Sequence, residues 1–145
     1  MRQPPDDGLR PLLIRLIPSV LGSPVHWVAL ESALTESGIP DAVLTWRGRT
    51  TWVECKSTSG WALGTLTEFQ VGFALTLARS GGRQVIATRR RSPGGPRSPP
   101  CDELWLHDGG HAPALRAGGL RAAPALLVEG GQWDLGLAGR VLVGA

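Results

Sequence analysis

The chain has very little cysteine. Cys55 and Cys101 are the only two among 145 residues, too few for a disulfide framework, and no Cys/His cluster has zinc-ligand spacing. The first residues, Met1 to Gly8, also lack the charged-then-apolar order of a signal peptide. We therefore expect a cytoplasmic protein, in a reducing compartment.

Long apolar runs are also absent. The most apolar early stretch, Pro11 to Leu21, is too short to span a bilayer and contains Arg15 and Pro18. We therefore expect a soluble protein with no membrane partner. No internal repeat is visible, and 145 residues are enough for one domain with a buried core. We predict a single domain over residues 1–145, with its core at roughly 25–90.

Lysine is almost missing as well. Of fifteen Lys and Arg residues, Lys56 is the single lysine, so arginine carries nearly all of the positive charge. The formal charge is +3 and the pI is about 9.6. The planar guanidinium of arginine suits phosphate contacts, although a GC-rich genome would give the same bias. The charge balance is therefore only weak support for a nucleic-acid partner.

Two acids and the single lysine stand at a spacing that suits phosphodiester chemistry. Asp41 is followed thirteen residues later by Glu54, and Lys56 lies two positions further on. Hydrolysis of a phosphodiester near neutral pH needs a hard divalent cation, and Mg²⁺ prefers carboxylate oxygens. A lysine beside the metal can orient the attacking water and neutralise developing charge. These residues indicate a metal-dependent phosphodiesterase site.

Strand geometry can bring these three side chains together. Two runs of β-branched, apolar and aromatic residues around a glycine predict a β-hairpin over residues 42–55. A two-residue type II′ loop at Gly48-Arg49 places Asp41 opposite Lys56, and all three functional side chains then share one face. A three-residue loop would move Asp41 to the other face. The opposite, apolar face is expected to comprise Ala42, Leu44, Trp46, Val53 and Cys55.

A simpler interpretation stays open at this point. An acid and a lysine two positions apart on a strand are common on solvated faces, and Asp after Pro is an ordinary turn residue. Their combination on one predicted hairpin favours a site over a solvated surface.

The order of four segments resembles the PD-(D/E)XK nuclease superfamily, and within it the VRR-NUC branch and the small stand-alone phage-type nucleases. The segments are Gly38 to Val43, Trp52 to Lys56, Gly64 to Gln70 and Arg79 to Arg83. The resemblance implies an α/β fold with a restriction-endonuclease-like core, in which helices flank a mixed β-sheet. It also implies Mg²⁺ as cofactor, with Mn²⁺ able to substitute, and DNA as partner. The cytoplasm would be that of a bacterial host if the chain is phage-derived.

The resemblance also assigns residues. It implies that Asp41 and Glu54 ligate the metal, with the Cys55 backbone carbonyl as a further ligand, and that Lys56 is the catalytic lysine. Gln70 matches a glutamine on the helix after the Glu-x-Lys strand, and we count it among the catalytic residues.

An upstream acid completes the implied metal site. Glu31 matches that acid, and Glu36 competes for the same role. We expect Glu31 on a helix over residues 25–34.

The helix that carries Gln70 has its own start and stop signals. Thr65 and Glu68 form a Thr-x-x-Glu capping box and Gly81-Gly82 a C-terminal stop, which predicts about fifteen helical residues. An inward-facing Gln70 needs a hydrogen-bond partner, which a metal site or a phosphate would provide. A glutamine that reaches solvent at the edge is the alternative. The expected buried stripe comprises Leu66, Phe69, Phe73 and Leu77.

The remaining elements complete the expected domain. An apolar stripe from Leu9 to Val20 predicts a helix that ends near Pro18. Residues 84–88 predict a strand, residues 92–100 a flexible Pro/Gly-rich loop, and residues 101–145 strands and a helix that complete the fold. The expected DNA-binding residues are five arginines and one tryptophan that can stack on a base, namely Arg47, Arg49, Trp61, Arg89, Arg90 and Arg91.

The sequence therefore favours a Mg²⁺-dependent DNA endonuclease, selective for branched or junction DNA if it follows the phage-type relatives, and a homodimer if it cuts two strands. Two alternatives stay open. One is a catalytically inactive DNA-binding or phage-assembly module with the same fold, and the other is a hydrolase that acts on another phosphate ester.

Overall fold

The computed structural model describes residues 8–30 and 38–145, and within them the chain forms four α-helices and eight β-strands. The elements are α1 Leu9–Leu16, β1 Ser19–Val20, β2 Ser23–Pro24, β3 His26–Ala29, β4 Ala42–Trp46, β5 Arg49–Thr58, α2 Glu68–Arg79, β6 Gln84–Ser92, β7 Cys101–Asp108, α3 Ala112–Gly118, β8 Leu127–Gly130 and α4 Leu135–Val143. The predicted mixed α/β class is confirmed.

Six strands form one sheet in the order β3-β4-β5-β6-β7-β8, and β1 and β2 form a separate short pair. Neighbouring strands of the large sheet are antiparallel except β5 and β6, which are parallel. A parallel pair needs a crossover connection, and α2 supplies it. The predicted helix that crosses the sheet after the hairpin is therefore confirmed.

Helices cover both faces of this sheet. On one face α1 and α4 pack against a core that includes Leu13, Leu142 and Leu44. On the other face α2 and α3 enclose a smaller core around Ala74 and Ile86. No helix in the described part of the chain is long and apolar enough to cross a membrane.

The hairpin keeps the predicted faces but not the predicted loop. Trp46 pairs with Arg49, so the two loop residues are Arg47 and Gly48, with φ of 47° and 77°. Two positive φ values define a type I′ turn, whose twist matches that of the flanking strands. The prediction of a type II′ loop at Gly48-Arg49 is therefore wrong in turn type, and the loop begins one residue earlier than predicted.

This change shifts the register by two residues, which preserves the side on which each residue lies. Val43 pairs with Trp52, and the same register continued places Asp41 opposite Glu54, not opposite Lys56. The predicted apolar face is confirmed, because its members are all buried: Ala42, Leu44, Trp46, Val53 and Cys55.

The predicted helix over residues 25–34 is wrong. His26–Ala29 forms an edge strand antiparallel to β4, with Trp27 opposite Leu44. Val and Trp favour strands, and pairing with an available sheet edge outweighs the short helical pattern. Glu31 and Glu36 lie outside the described residues.

Helix α2 begins later than predicted, and its predicted buried stripe is confirmed only in part. Leu66 is buried just before the helix, and Phe73 and Leu77 are partly buried. The N-cap of α2 is Thr67, with Gln70 as the partner in the capping box, in place of Thr65 and Glu68. Both pairs fit the Ser/Thr-x-x-Glu/Gln pattern, and the second one fixes the helix start. Phe69 then lies on the outer side and is 68% exposed, while Ala74 is the buried residue of the helix.

Residues 101–145 form the expected strands, β7 and β8, and the expected final helix, α4, but also the helix α3, which was not predicted. The chain between β6 and β7 is a hairpin connection in which Ser92 pairs with Cys101, so Ser92 and the arginines before it belong to β6 and not to the loop. Asp134 caps α4 by accepting a hydrogen bond from the Leu137 N–H, as expected.

Candidate active site

The site lies just before the first residue of β4, beside the second half of β5. The last pair between these strands is Ala42 with Val53, and the register continued places Pro40 opposite Cys55. Proline has no N–H and cannot donate a ladder hydrogen bond to the strand beside it. The ladder therefore ends here, and β5 runs on beside the loop that carries Asp41.

Beyond the end of the ladder, the Asp41 side chain supplies the hydrogen-bond acceptor for the next N–H of β5. Its Oδ2 accepts a hydrogen bond of 2.8 Å from the Cys55 N–H, and its own carbonyl accepts one of 2.8 Å from the Leu30 N–H. The N–H and C=O of a strand residue point to the same side, so the Cys55 carbonyl also faces the Asp41 side of β5. Asp41 is thereby fixed at the strand edge.

Glu54 is almost completely buried, with 2% of its surface exposed. Its Oε1 accepts a hydrogen bond of 3.0 Å from Gln70 Nε2 and lies 3.3 Å from Lys56 Nζ. Its Oε2 is buried and has no hydrogen-bond partner among residues 8–30 and 38–145. A buried carboxylate oxygen without a partner carries a large desolvation cost, and such atoms are rare in folded proteins.

The electrostatics of Glu54 follow from this burial. Desolvation by burial and, second, the nearby Asp41 carboxylate raise the pKa of Glu54, whereas Lys56 lowers it, and the net result is a pKa of about 8 in place of 4.5. Buried titratable groups with strongly shifted pKa values concentrate at functional sites. At other positions they would lower the stability of the fold and contribute nothing to function.

Lys56 is held in place from two sides. Its side chain is 10% exposed, and its Nζ donates a hydrogen bond of 3.1 Å to the Thr65 carbonyl in addition to the Glu54 contact. The residues 59–66, which we call the Lys56 loop, connect β5 to α2 and carry this carbonyl. An ammonium with two fixed acceptors is well positioned to orient a water molecule.

Gln70 joins α2 to the site through both ends of its amide. Its Oε1 accepts from the Thr67 N–H at 2.9 Å, and its Nε2 donates to Glu54. The Gln70 N–H donates to Thr67 Oγ1 at 3.2 Å, which completes the capping box. Of the two alternatives that the sequence left open for Gln70, the structure has the inward-facing one, and the amide orients Glu54.

A close backbone approach sets the position of the Asp41 loop. Gly38 has φ of +96°, and a Cβ at this position would lie 2.4 Å from the Phe69 carbonyl oxygen. Only glycine tolerates both this φ and this contact. The first turn of α2 and the loop that leads to Asp41 thus meet at Gly38.

These residues fit a hard divalent cation. The orphaned Glu54 Oε2 and the Asp41 carboxylate are oxygen donors of the type that Mg²⁺ prefers, and the Cys55 carbonyl faces the same side. No third acidic, cysteine or histidine side chain joins them within residues 8–30 and 38–145. The expected third acid, Glu31, falls outside those ranges.

Arg47 and Arg49 lie at the far end of the hairpin. Five to seven strand residues separate them from Glu54 and Lys56, a distance of roughly 20 Å. Arg47 donates to Ser23 Oγ at 2.9 Å, and Arg49 donates to the Gly144 carbonyl at 2.8 Å. The structure therefore does not bring these two predicted DNA-binding residues to the site.

The three arginines of β6 are at the site end of the sheet but on different faces. Lys56 is in register with Thr88 and Thr58 with Arg90, so Arg90 is on the Lys56 face, whereas Arg89 and Arg91 are on the opposite face. Arg89 binds Asp102 through two hydrogen bonds of 2.9 and 2.7 Å.

Arg90 and Trp61 are already engaged with protein groups. Arg90 pairs with Glu103 at 2.7 Å, and its Cζ lies 3.8 Å from the centre of the Trp61 ring. The Arg121 Cζ lies 3.8 Å from the same ring. Two guanidinium groups thus compete with any nucleic-acid base for the Trp61 ring.

Three groups that contact the site residues were not predicted from the sequence. Thr67 was visible as part of a second capping-box match, but the Thr65 carbonyl and Arg121 carry no pattern that points to them. Arg121 reaches Trp61 because Gly119, with φ of +85°, has a Cα that approaches the Trp61 backbone too closely for any Cβ. A scan against protein-family models finds no match, and a search of the curated proteins finds no relative of the chain.

Proposed function

We propose that the protein is a Mg²⁺-dependent DNA endonuclease with a restriction-endonuclease-like core. The observation that carries this proposal is the buried Glu54 Oε2 between the Asp41 loop and Lys56, an oxygen with no hydrogen-bond donor in the described part of the chain. A structural role would provide this oxygen with a protein donor, whereas a metal site needs it directed toward a cation.

The stability cost of the arrangement supports a functional origin. Glu54 and Lys56 are both buried on a face where Ile86 and Ala74 form an apolar core. Replacing a buried ion pair by apolar residues of similar volume is often neutral or stabilising. A fold alone would therefore gain little from these two residues.

Each residue has a distinct role in the proposed reaction. Asp41, Glu54 and the Cys55 carbonyl would hold the metal, and Gln70 keeps Glu54 in its orientation. Bound Mg²⁺ supplies charge stabilisation at the scissile phosphate. Lys56 orients the attacking water and neutralises charge that develops on the phosphate oxygens.

The sheet supports the same proposal. Asp41 directly precedes β4, Glu54 lies within the neighbouring strand β5, and Gln70 comes from the helix that crosses between the parallel strands β5 and β6. The resemblance to PD-(D/E)XK nucleases implied this set of elements. The proposal includes a cytoplasmic location, and a homodimer is the assembly that would cut both strands of a duplex.

A cleavage assay on a panel of substrates tests the proposal. Linear, flapped and four-way DNA are incubated with Mg²⁺, with Mn²⁺ or with EDTA, and wild type is compared with Asp41→Ala and Lys56→Ala. We expect metal-dependent cleavage by the wild type and a loss of about 100-fold or more in each variant. Glu129→Gln, an acid on the edge strand β8, is the matched control and should cleave like the wild type.

The same assay separates the alternatives. Binding of DNA without turnover in Mg²⁺ or Mn²⁺ would indicate the inactive DNA-binding or phage-assembly module. Competition between DNA, RNA and small phosphodiesters would identify a hydrolase of another phosphate ester, because such an enzyme would prefer the small substrate.

A further inference from the structure

We propose that Arg121 binds a phosphate of the DNA backbone, held for that task by a stack of Arg121, Trp61 and Arg90 beside the active site. This inference deepens the proposed function and rests on DNA as the ligand. Arg121 belongs to none of the sequence motifs, and its role follows from its contacts.

At one end of the stack, the charge of Arg90 is neutralised by a carboxylate. Arg90 Nη1 donates to Glu103 Oε1 at 2.7 Å, and Trp105 Nε1 donates to the same oxygen at 3.3 Å. Trp61 meets Trp105 edge to face, with 5.8 Å between ring centres. The charge of Arg90 is therefore compensated, and Trp61 is held between fixed neighbours.

Arg121 carries the uncompensated charge. Its Cζ is 3.8 Å from the Trp61 ring centre, and no carboxylate pairs with it in the part of the chain that the structure describes. Stacking restrains the planar guanidinium without using its N–H donors, so these remain available for a ligand. A fixed fork of donors with a full positive charge matches the oxygens of a phosphodiester.

The Lys56 loop connects this stack to the active site. The Trp61 carbonyl accepts a hydrogen bond of 2.9 Å from the Leu120 N–H, next to Arg121, and the Thr65 carbonyl of the same loop accepts from Lys56 Nζ. Arg116 Nε adds a bond of 3.0 Å to the Leu66 carbonyl. One hydrogen-bonded loop therefore contacts both Lys56 and the segment that carries Arg121.

The separation suits a DNA strand that enters or leaves the site. Arg90 lies two residues beyond Thr88, the register partner of Lys56, which is about 7 Å along β6. Successive nucleotides of one strand rise about 3.4 Å along a duplex. The Arg90 end of the stack is thus about two nucleotide rises from the level of Lys56 along the sheet. Arg121 would therefore contact a phosphate that flanks the scissile one.

The test measures DNA binding apart from cleavage. Glu54→Gln serves as a cleavage-deficient parent, and its affinity for a fluorescent duplex is measured by anisotropy over a range of salt concentrations. We expect Arg121→Gln to weaken binding about tenfold and to reduce the salt slope by about 1. Arg79→Gln, at the far end of α2, is the matched control and should change affinity less than about twofold.

Two further variants keep the test sharp. Trp61→Leu retains both arginines and should weaken binding about threefold without changing the salt slope, because only the restraint on Arg121 is lost. Arg121→Glu replaces attraction by repulsion and should weaken binding more than Arg121→Gln. Circular dichroism verifies that each variant is folded.

The outcomes separate this inference from the proposed function. Equal affinity and salt slope in Arg121→Gln and Arg79→Gln would overturn the Arg121 assignment, even if the wild type cleaves DNA. An Arg121-dependent affinity without cleavage by the wild type would support the phosphate site and refute the nuclease. A parent that binds no DNA would refute the phosphate site, whatever the cleavage assay shows.

Discussion

The pH dependence of stability should reveal the burial of Glu54. A glutamate whose pKa is raised on folding keeps its proton in the native state while the unfolded state has lost it. The contribution of Glu54 to stability is therefore most favourable at low pH, falls as pH rises from about 4.5 toward about 8, and becomes flat above that range. Glu54→Gln removes this titration and leaves all other titrating groups in place.

The expected size follows from the pKa values. Each pKa unit corresponds to about 1.4 kcal/mol, so the Glu54 penalty is about 1 kcal/mol at pH 5 and about 4 kcal/mol at pH 8. The metal-free wild type should lose about 3 kcal/mol relative to Glu54→Gln between these two pH values. The loss of a carboxylate partner for Lys56 is a constant offset that this difference largely removes.

Chemical denaturation in EDTA at pH 5, 6, 7 and 8 provides the measurement for both proteins. The relative loss corresponds to about 10 °C in melting temperature for a chain of this length. Millimolar Mg²⁺ should restore the wild type at pH 8 and leave Glu54→Gln unchanged, because a cation binds only the ionised carboxylate. Parallel pH profiles for the two proteins would refute the claim that Glu54 is buried beside Asp41.

The other predictions concern the elements that support the site. Gln70→Ala removes the amide donor to Glu54 and should reduce cleavage about 10- to 100-fold with partial rescue by higher Mg²⁺; loss of cleavage that no Mg²⁺ concentration rescues would contradict this role. Gly38→Ala forces a Cβ against the Phe69 carbonyl at a positive φ and should cost about 2 kcal/mol or more in urea unfolding; a neutral effect would show that the loop packs otherwise. Gly72→Ala, in the middle of α2 with open space around it, should stabilise the protein by about 1 kcal/mol and leave cleavage unchanged.

The strand signals were strong because they depend on local chemistry. The hairpin was predictable from β-forming residues around a glycine, and the shared face of Asp41, Glu54 and Lys56 survived an error in the loop. A shift of two residues preserves side-chain alternation, whereas the choice between type I′ and type II′ turns depends on strand twist. The local sequence Arg47-Gly48-Arg49 does not determine the turn type.

The failures involve competition between local and tertiary effects. Residues 26–29 pair with the open edge of β4, and a short apolar pattern cannot reveal that such an edge is available. Two overlapping capping boxes precede α2, and only the packed structure selects Thr67. The position of Arg121 beside Trp61 depends on contacts between segments about sixty residues apart, which no local pattern encodes.

The most direct test of the central claim is Mg²⁺-dependent nicking of a supercoiled plasmid by the wild type, Asp41→Ala and Glu129→Gln. We expect nicking by the wild type and Glu129→Gln that EDTA abolishes, and none by Asp41→Ala. Equal nicking by Asp41→Ala, or none by the folded wild type in either Mg²⁺ or Mn²⁺, would contradict this claim.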